Sequence, residues 1–495
     1  MDKKGRMVIV GIILAYAVYQ MNKAFYLDGD IMWHYKTGGY ILSHLSVPKH
    51  DIFSWQPNLT WMPHEWLHDV YLYLFYSTFG IWAARILLVA SIAAPIFIGY
   101  NYNKENIVDI YGFLIYIAVI KLIEASSFCV RPSEVSTLIL VMATVLIIDE
   151  KKHKDIIYFI LTVLFVNIHG GAIASMLIIP VLCMFADLVI FLLTKEKMDV
   201  KANLKILLIA FLGSLINPQG IFIYKYTTNV FFNSYIKDNI LEYKPLNLNL
   251  AAAVAILGIM LCFGASKKFR ELKKEDIRKY AVMLAFLSGG IAVRRMIYPA
   301  YCFLAIFGFQ YFQEYLISLN ILDKDHTILQ KHYKIILTTC AVVAAAILTS
   351  MQIKKPVLGY VDYVKDEESD LTEAANFIKE NDINDHLYNH YNIGANLILL
   401  DVKTYVDTRC DPFIKEFSGS TSLADFFDIT TGTNKENKPV AVLWDELKEK
   451  YGFKYGLFDK EISLDREVAY SLKLRGYKIL FENKGYTIIS VEEQE

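Results

Sequence analysis

Charge is scarce in this sequence. Asp, Glu, Lys and Arg make up 20% of its 495 residues, against 55% hydrophobic, whereas a soluble domain carries roughly a quarter charged residues. The charges gather in short islands between long apolar runs. That distribution excludes one large soluble globule and points to a polytopic α-helical membrane protein. Neither sign is in excess. A net charge of −1 excludes nucleic-acid binding through bulk basicity. Cysteine is also sparse, and its six positions form neither a disulfide framework nor a zinc spacing. Cys183, Cys262, Cys302 and Cys340 lie in apolar runs, as small core residues do. Cys129 and Cys410 fall on the outer side of the topology below, where a pairing between them is open. There is no Gly-rich phosphate fingerprint. There is also no inverted internal repeat of the kind many transporters are built on.

Apolar sequence is abundant. Apolar segments fall near 7–25, 84–102, 107–125, 134–149, 155–169, 172–194, 206–217, 249–265, 281–296, 298–316 and 334–352, about eleven spans. A mean hydropathy of +0.34 and the content of 33 Tyr and 30 Phe suit helices packed in lipid with aromatic interfacial belts. The N-terminus, Met-Asp-Lys-Lys-Gly-Arg before an apolar run, has the form of a signal peptide. The run continues to Phe25, so an uncleaved first span is expected. Basic islands at Lys104, Lys151 to Lys154, Lys195 to Lys205, Lys267 to Lys279 and Lys324 to Lys334 fall in alternate loops. Together with Lys3, Lys4 and Arg6 they place the N-terminus in the cytoplasm and the C-terminal region outside it, provided 66–82 is interfacial. The island from Lys267 is expected as a solvated helix that attracts anionic lipid.

The transmembrane part is expected over 1–352, with a first outer loop at 26–83 and a linker at 353–368. A soluble α/β domain follows over 369–495. Helices are expected at 371–380, 441–451 and 468–475. Strands are expected at 404–406, 455–458, 477–481 and 486–491, in three layers.

The outer side carries polar groups that lipid makes costly and that usually mark function. They are Asp28-Gly29-Asp30, His34, His64-Glu65, Arg131-Pro132, Asn167-Ile168-His169-Gly170-Gly171, Asn217-Pro218-Gln219-Gly220 and Arg294-Arg295. Asn217-Pro218 is a turn former. Carboxylates in the first loop can accept a proton from a hydroxyl or hold a metal ion. His64-Glu65-Trp66-Leu67-His68 also spells H-E-x-x-H, which on a helix would bind zinc for an intramembrane metalloprotease. A transporter and a non-catalytic scaffold are further alternatives. Asp407, Arg409 and Asp411 form either an internal salt-bridge turn or an acceptor site.

In the first loop, Asp-x-Asp with Trp33-His34, Val47-Pro48-x-x-Asp51-x-Phe53-Ser54 and His64-Glu65-Trp66-Leu67 carry a resemblance. They resemble a bacterial branch of the GT-C superfamily, membrane glycosyltransferases that use polyprenyl-phosphate-linked sugars. Arg131-Pro132-Ser133, the His169 and Asn217 elements, Tyr391-Asn392-Ile393-Gly394 and Val406-Asp407-Thr408-Arg409 follow in the same order, so the resemblance covers nearly the whole chain. It implies sugar transfer at the outer face of the bacterial cell membrane. Asp30, then Asp28, is the implied base or metal ligand. Arg294, Arg295 and Arg131 are implied to hold the donor phosphate, with His34, His64, Glu65 and His169 in support. A divalent ion, with Asp30, Asp28 and His64 as ligands, is the one cofactor left open. The sugar and the acceptor, whether glycan, lipid or protein, are not specified. The Trp-Trp-Asp element of oligosaccharyltransferases is absent, so transfer of whole glycans to Asn is not expected.

Overall fold

Two adjacent glycines decide how the first loop folds. Helix α1 (Ile31–His44) and helix α2 (Trp66–Phe79) pack directly on one another. A Cβ on Gly38 would fall 2.0 Å from the Asp69 carbonyl oxygen, and one on Gly39 would fall 2.8 Å from the Tyr73 ring. Only hydrogen at Gly38 lets the backbones meet this closely, and a side chain at Gly39 would push against the Tyr73 ring. The inward face of α1 carries His34, Thr37, Gly38 and Ile41, and that of α2 carries His68, Asp69, Leu72 and Tyr76, the spacing of one helical stripe. At 14 residues, α2 extends about 21 Å and is shorter than a bilayer core.

The chain is described here by a computed structural model, at residues 29–103, 131–195, 200–248, 274–308, 369–430 and 438–492, with isolated positions besides. It divides into two units. The first comprises Met1–Tyr26, Ala84–Thr227 and Ile236–Val357. The second comprises Leu27–Ala83, Thr228–Tyr235 and Leu358–Glu495. Asp28, Cys129 and most or all of the segments expected at 7–25, 107–125, 249–265 and 334–352 lie outside the described residues.

The first unit is helical: α3 (Ile81–Asn103), α4 (Pro132–Ile148), α5 (Lys154–Ile168), α6 (Ala174–Thr194), α7 (Val200–Ser214), α8 (Phe222–Phe232), α9 (Lys274–Ala292) and α10 (Ile297–Phe303). The last residues of α8 belong to the second unit. Ile156, Ile160, Phe185, Leu192, Leu204 and Leu208 are exposed. Among the described residues one stretch, Gly170–Thr194, is long and apolar enough to cross a membrane, and α4 is apolar but shorter. The expected count of about eleven spans is therefore not confirmed by the described residues. The basic island expected to be solvated is partly buried. Arg278 on α9 makes a bidentate pair with Asp187 on α6, at 2.8 Å from both Nε and Nη2. Asn203 and Lys274 converge on the same carboxylate. A guanidinium matches a carboxylate fork in a way an ammonium cannot, and so it can be buried here.

In the second unit a four-stranded sheet has the order β1-β2-β4-β3. β1 (Leu387–Asn389) runs parallel to β2 (Tyr455–Asp459). β3 (Ile479–Glu482) and β4 (Tyr486–Ser490) complete it antiparallel. Helices α11 (Asp370–Glu380), α12 (Tyr391–Leu399), α13 (Ser422–Thr430), α14 (Val440–Tyr451) and α15 (Ser463–Leu474) surround it. The Ser369 hydroxyl caps α11 by accepting from the Thr372 N–H at 3.1 Å. The strand expected at 404–406 is not in the sheet. The N–H of Thr404 donates to the carbonyl of Phe53 in the first loop, and Ser54 Oγ donates to the Thr404 carbonyl at 2.6 Å. The Tyr405 N–H and Val406 carbonyl are satisfied by the buried Asn389 side chain.

The first loop is held on this α/β body by buried charge. Asp51 accepts from the N–H groups of Phe53 and Ser54 and pairs with Arg409. The other edge of the guanidinium pairs with Asp407 at 2.6 Å. The Arg409 side chain is fully buried, and its flat face lies over Trp61, Phe53 and Phe413. Asp407 and Arg409 are therefore the internal salt-bridge turn, extended to the first loop. Trp55 and Gln56 add bonds to the carbonyls of Leu387 and Tyr405. Cys410 is a free thiol, in contact with the Tyr391 hydroxyl at 3.2 Å, so the pairing with Cys129 is not made.

Two stability measurements follow. Arg409→Met keeps the bulk but strands two buried carboxylates, a loss of about 3–5 kcal/mol. Thermal unfolding of the variant should show a clearly lower midpoint, and an unchanged midpoint would contradict the ion-pair assignment. Asp465 is buried on α15, and burial pushes its carboxyl up to about 8. Between about pH 4 and pH 8 the folded chain keeps a proton that the unfolded chain has lost, so stability falls as pH rises through that window. Asp465→Asn should differ little from the parent near pH 4.5 and be the more stable of the two near pH 8. Equal destabilisation at both pH values would exclude the buried neutral acid.

Candidate functional site

Asp30 stands immediately before α1, where the helix N-terminus favours negative charge. Its Oδ1 accepts from the Trp33 indole at 3.3 Å. Its charge reaches the α/β body. The Tyr391 hydroxyl is pushed up by burial first and then by Cys410 and Asp30. The Cys410 thiol is likewise pushed up by burial, with Asp30 adding to it.

Behind Asp30 runs a row of ionisable groups that the α1–α2 contact assembles. Asp69 Oδ1 lies 2.5 Å from His34 Nδ1. His34 Nε2 is 3.7 Å from Glu65 Oε2, and Glu65 Oε1 is 3.4 Å from His64 Nε2. The row leads from the fully buried Asp69 to the partly exposed His64. Burial, then the charge of Glu65, raises Asp69 well above the usual carboxylate range. Burial lowers His68 to about 4, against the pull of Glu65, so His68 is neutral at physiological pH. Asp411 from the α/β body joins this group. Burial pushes it up to about 7, while His64 and Arg409 pull it down and Glu65 pushes it up.

The zinc-protease pattern is not built. His64 precedes α2, which begins at Trp66, so His64 and His68 do not share a helical face. His68 is fully buried, with Nδ1 against the Tyr71 hydroxyl. Among the described residues no three His, Cys, Asp or Glu side chains converge to hold a metal ion.

The first unit holds a second polar cluster, drawn from four separated segments. Arg131 opens α4, where its N–H donates to Glu134 at 2.9 Å, and its guanidinium pairs with Glu242. Arg295 donates to the Tyr243 hydroxyl at 2.8 Å and lies 3.4 Å from His169 Nε2. A guanidinium only donates, so Nε2 is the acceptor here and the proton of a neutral His169 sits on Nδ1. Nδ1 then donates to Ser136 Oγ at 2.9 Å, and that hydroxyl passes its own proton toward the Ser133 carbonyl. Arg294 is half-buried. Its backbone N–H is anchored on the Lys244 carbonyl, while its guanidinium meets no acceptor among the described residues. Asn167 ties α5 to the turn after α7 through the Ile216 carbonyl, and Asn217 closes that turn on Gln219 and Gly220. The Asn-Pro element is a structural turn.

The sequence-predicted residues therefore fall in two clusters. His34, His64 and Glu65 lie together with Asp30 in the second unit. Arg131, His169, Arg294 and Arg295 belong to the first. Asp69, Ser136, Glu242 and Tyr243 were not singled out in the sequence. Asp69 had a usable signal, since it is an ionisable residue on the apolar stripe of α2. Glu242 and Tyr243 sit in a short turn with no pattern of their own.

No family model matches the sequence, and no curated protein matches it. Among solved structures it resembles the crystal structure of the Archaeoglobus fulgidus oligosaccharyltransferase tethered through a disulfide bond to an acceptor peptide containing the NVT sequon. The TM-score is 0.55 and the identity 12%, over 99% of this chain and 74% of that one. The likeness shows a fold shared with that structure.

Proposed function

We propose that the protein is a membrane glycosyltransferase that moves a sugar from a polyprenyl-phosphate donor to an acceptor at the outer face of a bacterial membrane. The observation that carries this reading is a fold shared with an oligosaccharyltransferase over 99% of the chain. The reading is supported by a carboxylate cluster and an arginine cluster built from the motifs of the same superfamily. Lipid spans, a cytoplasmic N-terminus and an external α/β body are part of the proposal, and the exposed apolar side chains of α5 to α7 support it.

In this mechanism Asp30 takes the proton of the acceptor hydroxyl as its oxygen bonds to the anomeric carbon. The bond from that carbon to the phosphate oxygen breaks, and polyprenyl phosphate leaves with inversion. Arg131, Arg294 and Arg295 stabilise the negative charge on the leaving phosphate, because guanidinium donors match phosphate oxygens. Arg294 has donors to spare, and the His169–Ser136 chain orients Arg295. Asp28 is the second candidate base.

The test is transfer from radiolabelled polyprenyl-phosphate sugars by the purified chain in liposomes. Asp30→Asn should lower the rate roughly 100-fold or more while donor binding is kept. Arg295→Gln and Arg294→Gln should weaken donor binding by about tenfold each. If Asp30→Asn transfers as fast as the parent, Asp30 is not the base. If no polyprenyl-phosphate sugar binds, the glycosyltransferase reading is wrong.

A further inference from the structure

Asp30 stands where an Asp usually caps the helix that follows, its carboxylate accepting from the free N–H groups of the first turn. It does not do so here. Its backbone is already helical, at φ −61° and ψ −25°, and its side chain makes no capping bond to α1. Oδ1 turns instead to the indole N–H of Trp33, three residues on, at 3.3 Å. The usual capping role is left unused, and breaks of a local rule of this kind gather at functional sites.

The indole that holds Asp30 is itself held. Trp33 is 7% exposed and Trp61 3%. The Trp33 ring sits against the His34 ring, with centroids 3.6 Å apart and planes tilted by 31°, and His34 is fixed by Asp69 at 2.5 Å. Trp61 meets Trp33 at 6.3 Å, nearly at a right angle, the edge-to-face arrangement that aromatic pairs favour. Trp61 also carries the Arg409 guanidinium, 4.5 Å from its ring centroid, a cation over an aromatic face. The clasp between the first loop and the α/β body therefore reaches Asp30 through two buried rings. We propose that Trp33 is a positioning residue for the Asp30 carboxylate, and that Trp61 makes this positioning depend on the Arg409 clasp. Its effect on rate rests on the glycosyltransferase reading, whereas the contacts themselves do not. In the reaction the indole keeps its proton throughout, and the carboxylate it orients takes the proton of the acceptor hydroxyl.

The test uses the full chain in liposomes with radiolabelled polyprenyl-phosphate sugars, and in nanodiscs for spectroscopy. Replacing Trp33 by benzothienylalanine keeps the shape of the ring and removes its N–H. It should lower kcat roughly tenfold and leave the donor KM unchanged. In an Asp30→Asn chain the same replacement should slow residual transfer no further, because Trp33 acts through Asp30. Trp61→Phe should lower kcat in the parent and add little to the benzothienylalanine chain. Independently of activity, fluorine NMR of the chain labelled with fluorotryptophan gives a Trp33 signal, identified by its loss in Trp33→Phe. That signal should shift in Asp30→Asn and in Trp61→Phe. An undiminished kcat with benzothienylalanine, a further loss from it in Asp30→Asn, or a Trp33 signal that Asp30→Asn leaves unmoved would overturn the positioning role. A Trp33 signal that Trp61→Phe leaves unmoved would overturn the link to the clasp. A signal that moves in both variants, in a chain that transfers nothing from any lipid-linked donor, would instead keep the contacts and refute the transferase reading.

Discussion

The guanidinium of Arg409 is withdrawn from water and held between Asp51 of the first loop and Asp407 of the α/β body. Removing a charge from water costs several kcal/mol, and only matched geometry with further hydrogen bonds offsets it. Here the compensation is complete on the arginine side. Two carboxylates take its donors, and three aromatic rings cover it. Because the partners come from segments more than 350 residues apart, the loop cannot leave the body without exposing an unpaired charge. Other features follow from this constraint. Thr404 and the Tyr405 carbonyl bond to the loop instead of joining the sheet. Gly394 has no alternative either, because a Cβ there would meet Asp407 Cβ at 2.5 Å and the Val406 carbonyl at 2.6 Å. Asp411 is brought to His64 and Glu65 by the turn that begins at Arg409.

Polar side chains gather in two kinds of cluster, one in each unit. The second unit gathers carboxylates and histidines, which move protons and accept hydrogen bonds. The first unit gathers arginines, which under the proposed function would act electrostatically on a leaving phosphate. Each cluster is rigid for a local reason. Gly38 fixes the distance between α1 and α2, and so the geometry of His34, Asp69 and Glu65. In the first unit a hydrogen-bonded chain from Ser136 through His169 holds Arg295. Such supporting bonds are what keep functional groups in register.

Much of this was legible in the sequence because it rests on periodicity. Helices α4 to α6 fall within a few residues of their expected positions, as do α11, α14, β2 and β4. Long apolar runs and alternating stretches leave few other choices. What the sequence hid was long-range pairing. Nothing local marks Asp51 as the partner of Arg409, so the Val-Pro-x-x-Asp-x-Phe-Ser element carries a family likeness in the sequence and shows its work as a clasp only in the structure. The strand expected at 404–406 had strand composition, but its backbone bonds were taken by Ser54 and Asn389. Likewise β1 is only three residues long, below what alternation can reveal, and it is held by parallel pairing to β2. Arg278 lies in a basic island that local composition marks as solvated, because its partner Asp187 lies 91 positions away. The site residues chosen for their unusual polarity were largely gathered into clusters, since that polarity is costly in apolar surroundings.

The claim on which the rest depends is that the first loop and the α/β body open together. Native-state hydrogen exchange with increasing denaturant measures this directly. The amides of Asp51 and Trp55, bonded to Leu59 and Thr404, would be compared with that of Leu457 in β2. One cooperative unit predicts that all three exchange through the same opening, with the same denaturant dependence. Exchange of Asp51 and Trp55 at low denaturant, while Leu457 stays protected, would show that the loop detaches on its own and that the buried Arg409 pair does not hold it.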